Sequence, residues 1–167
     1  MITQQQALKT TEKYVVWLMV IIGFSFISLQ AISFVSSRAK AVVVNNDHIT
    51  MSRNELLSLI RVFITIVLSF AGAWLFSKKK SSGWVMSFAN LSLFTTILAA
   101  ILYGVVVQSD SLDIMALIGC FSVLILFIGI VFLFRKSTRL KYRADSKSIL
   151  SALALFIVLG IFYFFLQ

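Results

Sequence analysis

The sequence predicts an all-α integral membrane protein, in which five transmembrane helices form a bundle with short connecting loops. The prediction rests on the composition, on the length of the apolar segments and on the distribution of Lys and Arg. Of the 167 residues, 60% are hydrophobic, against about 45–50% in globular chains. The mean hydropathy of +1.00 agrees. We therefore treat residues 1–167 as a single membrane domain.

Five apolar segments are long enough to cross a bilayer. A hydrocarbon core about 30 Å thick needs roughly 20 helical residues. Buried helices of soluble proteins rarely stay apolar on every face over that length, and strands of membrane barrels alternate polar and apolar residues. A cleaved signal peptide is the alternative for the first segment, but its apolar core would be shorter. The predicted spans are residues 14–35, 56–76, 84–107, 114–134 and 149–166.

Lys and Arg are divided unequally between the two sides of the predicted bundle. Cytoplasmic loops of membrane proteins carry the excess of these residues. We therefore predict a cytoplasmic N-terminus, an outer C-terminus and a location in a bacterial inner (plasma) membrane. The poorer side holds only Arg38, Lys40 and Arg53. The richer side holds eleven cations: Lys9, Lys13, Lys78, Lys79, Lys80, Arg135, Lys136, Arg139, Lys141, Arg143 and Lys147.

The predicted outer loop, residues 36–52, has a pattern of its own. Residues 41–44 and 48–51 flank an Asn-Asn-Asp sequence, which is typical of two strands joined by a turn. An irregular connector is the alternative, because an isolated hairpin is only marginally stable in water. The following Ser-x-x-Glu at residues 52–55 has the spacing of a capping box and predicts that the second helix begins near Arg53.

The predicted cytoplasmic loop at residues 135–147 concentrates six cations. Each contributes roughly 1 kcal/mol of attraction to an anionic leaflet, so we predict contact with anionic lipid. Leu140 and Tyr142 are expected to dip into the membrane interface. A simple cytoplasmic anchor and a docking site for an acidic partner are the other interpretations. The six cations are Arg135, Lys136, Arg139, Lys141, Arg143 and Lys147.

Small residues recur every four positions in the third predicted span, at Ser92, Thr96, Ala100 and Gly104. Such a ridge allows the backbones of two helices to approach closely. We call it the α3 ridge, because the third predicted span, residues 84–107, is the third helix, α3. The simpler interpretation places it inside the bundle, against small residues of the second and fourth spans. The alternative makes it a docking face for another membrane protein.

Arg61 is the ionisable residue placed well within a predicted span. Such residues often mark functional sites, although a long side chain can extend to the interface. Gln30, Tyr103 and Asp113 are expected at a similar depth. The sequence thus predicts an outer polar cluster of Arg61, Gln30, Tyr103 and Asp113, which is either a structural contact or a ligand site.

Recognisable catalytic and metal-binding patterns are missing from the sequence. The chain has one histidine, His48, and one cysteine, Cys120, whereas a zinc site needs three or four ligands and a disulfide needs two thiols. We therefore predict no metal and no cofactor. The charge of +9 is explained by topology and lipid contact, so nucleic acid is not an expected partner.

The function predicted from these patterns is that of a non-enzymatic accessory, scaffold or immunity-type subunit, which acts through helix packing. Its expected partners are the lipid bilayer and either another membrane protein or a second copy of itself. A channel or transporter component formed on oligomerisation is the alternative, and a lipid enzyme using His48 at the outer surface is a third possibility. The channel or transporter alternative requires Asn90, Thr95, Thr96 and Ser122 to face one water-filled space.

Overall fold

The computed structural model describes residues 10–44, 53–108 and 114–165, and 94% of these are helical with no strand among them. Five of the helices are long and apolar enough to cross a membrane, which confirms the all-α class and the number of long apolar helices. The elements are α1 (Thr10–Val44), α2 (Arg53–Ser77), α3 (Ser81–Gln108), α4 (Ile114–Phe134), α5 (Lys136–Lys141) and α6 (Ser146–Phe165).

The first connection begins differently from the hairpin considered above. Helix α1 continues without a break to Val44, so the first predicted strand, residues 41–44, is wrong. Residues 36–44 contain neither Pro nor Gly, and adding a residue to an existing helix costs little even for valine. The second predicted strand, residues 48–51, lies outside the described residues. Helix α2 begins at Arg53, in agreement with the capping pattern.

Helix α3 occupies the centre of the bundle. It packs against α2, α4 and α6, while α1 packs mainly against α2. The start of α1, residues 78–80 between α2 and α3, and residues 135–145 between α4 and α6 lie at the same end. We call this the basic end and the opposite one the far end.

Packing is concentrated at the basic end. Trp84, Phe76 and Leu133 are fully buried there and belong to one cluster with residues of α1 and α6. In contrast, most side chains of α1 residues 24–36 and of α3 residues 99–107 are exposed. Apolar side chains on a membrane helix meet acyl chains when no protein covers them. The bundle is therefore compact at the basic end and open at the far end.

Trp84 links α3 to the end of α4. Its indole Nε1–H donates to the Leu133 carbonyl at 3.0 Å, while its ring stacks on Phe88 with centroids 5.6 Å apart. Carbonyls in the last turn of a helix lack intrahelical donors, and an apolar environment supplies none. The Trp84 side chain thus satisfies a backbone group where α4 ends.

The turn between α2 and α3 brings two backbones into contact. Lys79 adopts a left-handed conformation (φ 57°), and the Lys80 N–H donates to the Leu75 carbonyl at 3.1 Å, as in a Schellman motif. A Cβ added to Gly83 would overlap the backbone nitrogen of Phe76 and lie 2.7 Å from its Cα. Only glycine fits this position without displacing one of the helices.

We predict that Gly83→Ala destabilises the protein by about 2 kcal/mol, because the atoms in the way are backbone and cannot rotate aside. The measurement is thermal unfolding in detergent, followed by circular dichroism. Gly160→Ala is the matched control, since nothing lies within 4 Å of a Cβ built there, and it should leave stability unchanged or raise it slightly. Equal melting temperatures for the two variants would contradict the close contact at Gly83.

Candidate functional site

Arg61 makes its described contacts with α6. Its Nη1 donates to the Tyr163 carbonyl at 3.5 Å. One turn further along α2, the buried Thr65 hydroxyl lies 2.9 Å from the Arg61 carbonyl and hydrogen-bonds to the Tyr163 hydroxyl. Arg61, Thr65 and Tyr163 therefore form a polar link between α2 and α6 inside the apolar bundle.

No described hydrogen bond joins Arg61 to Gln30 or Tyr103, two of the residues predicted to surround it. Gln30 is partly buried on α1, whereas Tyr103 is 73% exposed and points out of the bundle. Asp113 lies outside the described residues. The predicted cluster around Arg61 does not include Tyr163, although the four-residue spacing of Arg61 and Thr65 indicates one polar face of α2 towards a neighbouring helix.

A second polar group lies in the core between α1, α2 and α3. The buried Asn90 side chain donates through Nδ2 to Ser69 Oγ at 2.9 Å and lies 3.6 Å from Met19 Sδ. Among the described residues, Asn90 Oδ1 and Ser87 Oγ have no hydrogen-bond partner. Polar contacts of this kind hold membrane helices together.

The hydroxyls considered for a transport path form hydrogen bonds within their own helices. Thr95 and Ser122 hydrogen-bond to carbonyls of their own helices, at 2.7 Å and 2.9 Å, and Thr96 does the same at 2.9 Å. Thr96 is exposed, while Asn90 is buried between helices. Hydroxyls that bond their own helix backbone are common structural features of membrane helices.

The α3 ridge lies largely outside the packed core. Ser92 is partly buried, whereas Thr96 and Ala100 are exposed, and nothing lies within 4 Å of a Cβ built on Gly104. The small residues considered as its counterparts have other neighbours: a Cβ on Gly72 would meet Met19 and Ser87. In this structure the ridge is therefore not the contact surface between α3 and the other helices.

Two of the six cations predicted to contact lipid instead have partners within the protein. Lys141 Nζ lies 2.7 Å from Glu12 Oε2, and the Glu12 side chain is only 3% exposed. The Arg135 guanidinium lies 5.3 Å from the centroid of the Phe132 ring. Lys136, Arg139 and Arg143 line a cavity beside α5, and Lys147 is exposed.

Tyr142 is a core residue rather than an interfacial one. It is 1% exposed, and its ring stacks on Phe76 with centroids 4.2 Å apart and an interplanar angle of 16°. The expectation that it dips into the membrane interface is therefore wrong, because the chain turns inwards after α5. Leu140, the other residue expected there, is 70% exposed.

Metal ligands are not grouped in the part of the chain that the structure describes. No set of three or more His, Cys, Asp or Glu residues is close enough to hold an ion there. His48, on which the lipid-enzyme hypothesis depends, lies outside the described residues.

We predict that Lys141→Met destabilises the protein by about 3 kcal/mol, because it removes the cation that lies 2.7 Å from the buried Glu12 carboxylate. The double variant Glu12→Gln/Lys141→Met should regain part of that loss, since it also removes the buried charge. Thermal unfolding of the wild type, both single variants and the double variant gives the coupling energy. Strictly additive effects would show that the ion pair contributes nothing.

We predict that Tyr142→Phe leaves stability at neutral pH unchanged or raises it by about 1 kcal/mol, because the buried hydroxyl has no hydrogen-bond partner among the described residues. Burial, with a smaller effect of the Glu12 carboxylate, raises the pKa of Tyr142. Because the pKa of Tyr142 is higher in the folded than in the unfolded protein, its contribution to stability is fully present below the unfolded pKa of about 10. The contribution is lost as the pH rises from there towards the folded pKa. The variant should accordingly lose less stability than the wild type between pH 9 and 11. The measurement is the melting temperature of both proteins as a function of pH. An equal fall in melting temperature for the variant and the wild type between pH 9 and 11 would show that Tyr142 is not buried in its neutral form.

The basic end is thus largely structural, while the α3 ridge and the cavity beside α5 are without a described protein partner. No protein-family model, curated protein or solved structure matches this chain. Its function has to be inferred from the side chains that these two surfaces present.

Proposed function

We propose that this protein is a non-enzymatic accessory, scaffold or immunity-type membrane subunit, which receives a transmembrane helix of another membrane protein along the α3 ridge. The observation that carries the proposal is that Thr96 and Ala100 are exposed and that nothing lies within 4 Å of a Cβ built on Gly104, on a helix whose other half is deeply buried. Small residues bring helix backbones close together, and such surfaces are typical of contacts between membrane helices.

The ridge continues an interface that α3 already makes. Leu93 and Ile97 of α3 pack with Leu159 of α6 in one apolar cluster. Ala100 and Gly104 follow them by seven residues each, so they lie on the same face of α3. Because α6 has 20 residues and α3 has 28, the face extends past the region that α6 covers. A further helix placed there would lengthen an existing helix–helix seam.

Polar side chains at the far end support the same proposal. Ser25 and Ser28 of α1 are exposed, although both lie within a helix long enough to span a membrane. Hydroxyls facing lipid can bond only their own helix backbone, whereas beside another helix they can also hydrogen-bond across the contact. Contact with a partner at the far end therefore suits these residues better than contact with lipid alone.

The proposed setting is a bacterial inner membrane, with the basic end on the cytoplasmic side. Support comes from the eleven Lys and Arg residues assigned to that side against three on the other. The non-enzymatic part of the proposal is supported by the composition, which includes a single histidine and a single cysteine. A path formed by oligomerisation has less support, because Asn90 and Thr96 face different surroundings.

We predict that Gly104→Leu abolishes the association with the partner without loss of stability. The protein is purified from native membranes in mild detergent, and the co-purifying polypeptides and the particle mass are determined together. Gly160→Leu on α6 is the matched control, because a Cβ there also meets nothing within 4 Å. A stoichiometric foreign subunit should accompany the wild type and Gly160→Leu, but not Gly104→Leu.

Two results would contradict the proposal. Retention of the partner by Gly104→Leu would show that the α3 ridge is not the contact. A particle containing only copies of this chain would exclude the accessory role and favour self-association. Flux assays on Arg61 and Thr95 variants would then examine whether the oligomer forms a transport path.

A further inference from the structure

A cavity of about 640 Å³ lies beside α5 at the basic end. Its lining includes Lys136, Arg139 and Arg143, together with the apolar residues Phe134, Leu140 and Ala144. The cavity thus combines three cations with an apolar wall. Its volume is within the range of pockets that hold small molecules.

The described lining of the cavity carries a net positive charge, because its three cations face a single acidic residue, Asp145. None of the three forms an ion pair with another described residue. The ion pair at this end of the bundle joins Lys141 to Glu12. Asp145 is the one acidic residue lining the cavity, but its Oδ1 accepts hydrogen bonds from the Ser148 backbone N–H and hydroxyl, both at 2.9 Å. The carboxylate is thereby engaged at the start of α6.

Arg139 contains a donor that lacks an acceptor. Its Nε is buried and has no hydrogen-bond partner among the described residues. A buried donor without a partner is costly, and an Arg guanidinium binds phosphate oxygens through two parallel N–H groups. A phosphate oxygen in the cavity would meet the charge of the guanidinium that lines it.

The cavity also lies at the depth of a lipid headgroup. Phe134 ends one candidate membrane span and Ser146 begins the next, so the intervening segment belongs to the interfacial layer if both helices cross a bilayer. An amphiphile placed here would direct its phosphate to the cations and its glycerol and chains towards Phe134 and the exposed Leu140.

We propose that this cavity is a binding site for the phosphate group of an anionic phospholipid, held by Lys136, Arg139 and Arg143. The site differs from a general attraction of all six cations to the membrane, because Lys141 and Arg135 are occupied by Glu12 and Phe132. The proposal does not depend on the α3 ridge and stands separately from the accessory role.

The test compares lipid binding by matched charge variants of the delipidated full-length protein. Apparent dissociation constants for dioleoylphosphatidylglycerol and dioleoylphosphatidylcholine are measured by native mass spectrometry. Arg139→Gln removes the positive charge and the paired N–H groups of the guanidinium. Arg143→Gly removes a cation at a position with left-handed backbone (φ 50°), a conformation that glycine adopts freely. Lys78→Gln is the control, an exposed cation on the other turn of the basic end.

Arg139→Gln and Arg143→Gly should each weaken binding of phosphatidylglycerol about tenfold, while Lys78→Gln changes it less than about twofold. Phosphatidylcholine should bind more weakly to the wild type and respond little to any variant. Should Arg139→Gln fail to fold, Arg143→Gly decides the question, because its backbone change favours the turn. Each variant is checked by its circular dichroism melt.

Equal weakening by all three variants would reduce the site to diffuse surface attraction and overturn the proposal. Unchanged binding by Arg139→Gln and Arg143→Gly would overturn it as well. Inorganic phosphate is added as a competitor in a separate arm. If phosphate displaces the lipid at a concentration equal to that of the lipid, the cavity is a phosphate site and its assignment to a lipid is overturned. If phosphate at a thousandfold excess over the lipid does not displace it, the assignment to a lipid is supported.

Discussion

The hydrogen bond from the Trp84 indole to the Leu133 carbonyl meets the main constraint on this fold, which is that helix ends in an apolar environment must satisfy their backbone groups. With Leu133 satisfied by α3, α4 can end at Phe134 and the chain can turn into α5. The turn directs Tyr142 onto Phe76 and Lys141 onto Glu12. Asp145 then accepts two hydrogen bonds from Ser148 at the start of α6, and the backbone bond is the larger of the effects that lower its pKa.

Uneven packing follows from this arrangement. Gly83 brings α2 and α3 into backbone contact at the basic end, and the aromatic residues around Trp84 fill the space between α3, α4 and the segment after α5. Towards the far end, the polar link of Arg61, Thr65 and Tyr163 ties α6 to α2. The α3 ridge beyond Ile97 is consequently left without a cover. The tightest packing and the surface that we propose for partner recognition therefore lie at opposite ends of the bundle.

The sequence was sufficient for the number of long helices because apolar length in a membrane helix is a local property. It failed where the outcome depends on tertiary contacts. The valines at 42–44 favour strands only weakly, and the continuing helix α1 overrides them. Likewise, nothing in the loop sequence indicates that Lys141 meets Glu12, which is 129 positions away in the chain. The four-residue spacing of the α3 ridge can be read from the sequence. Its exposure cannot, because it depends on how much of α3 is covered by α6.

The central claim is that the α3 ridge contacts another membrane protein. Site-specific photo-crosslinking in native membranes tests it directly, with a benzophenone amino acid placed at Ala100 on the ridge or at Ala154, an exposed alanine of α6. We predict that the probe at Ala100 gives one discrete crosslinked polypeptide, while the probe at Ala154 gives none. Crosslinking to lipid alone at Ala100, or the same polypeptide from both positions, would contradict the claim.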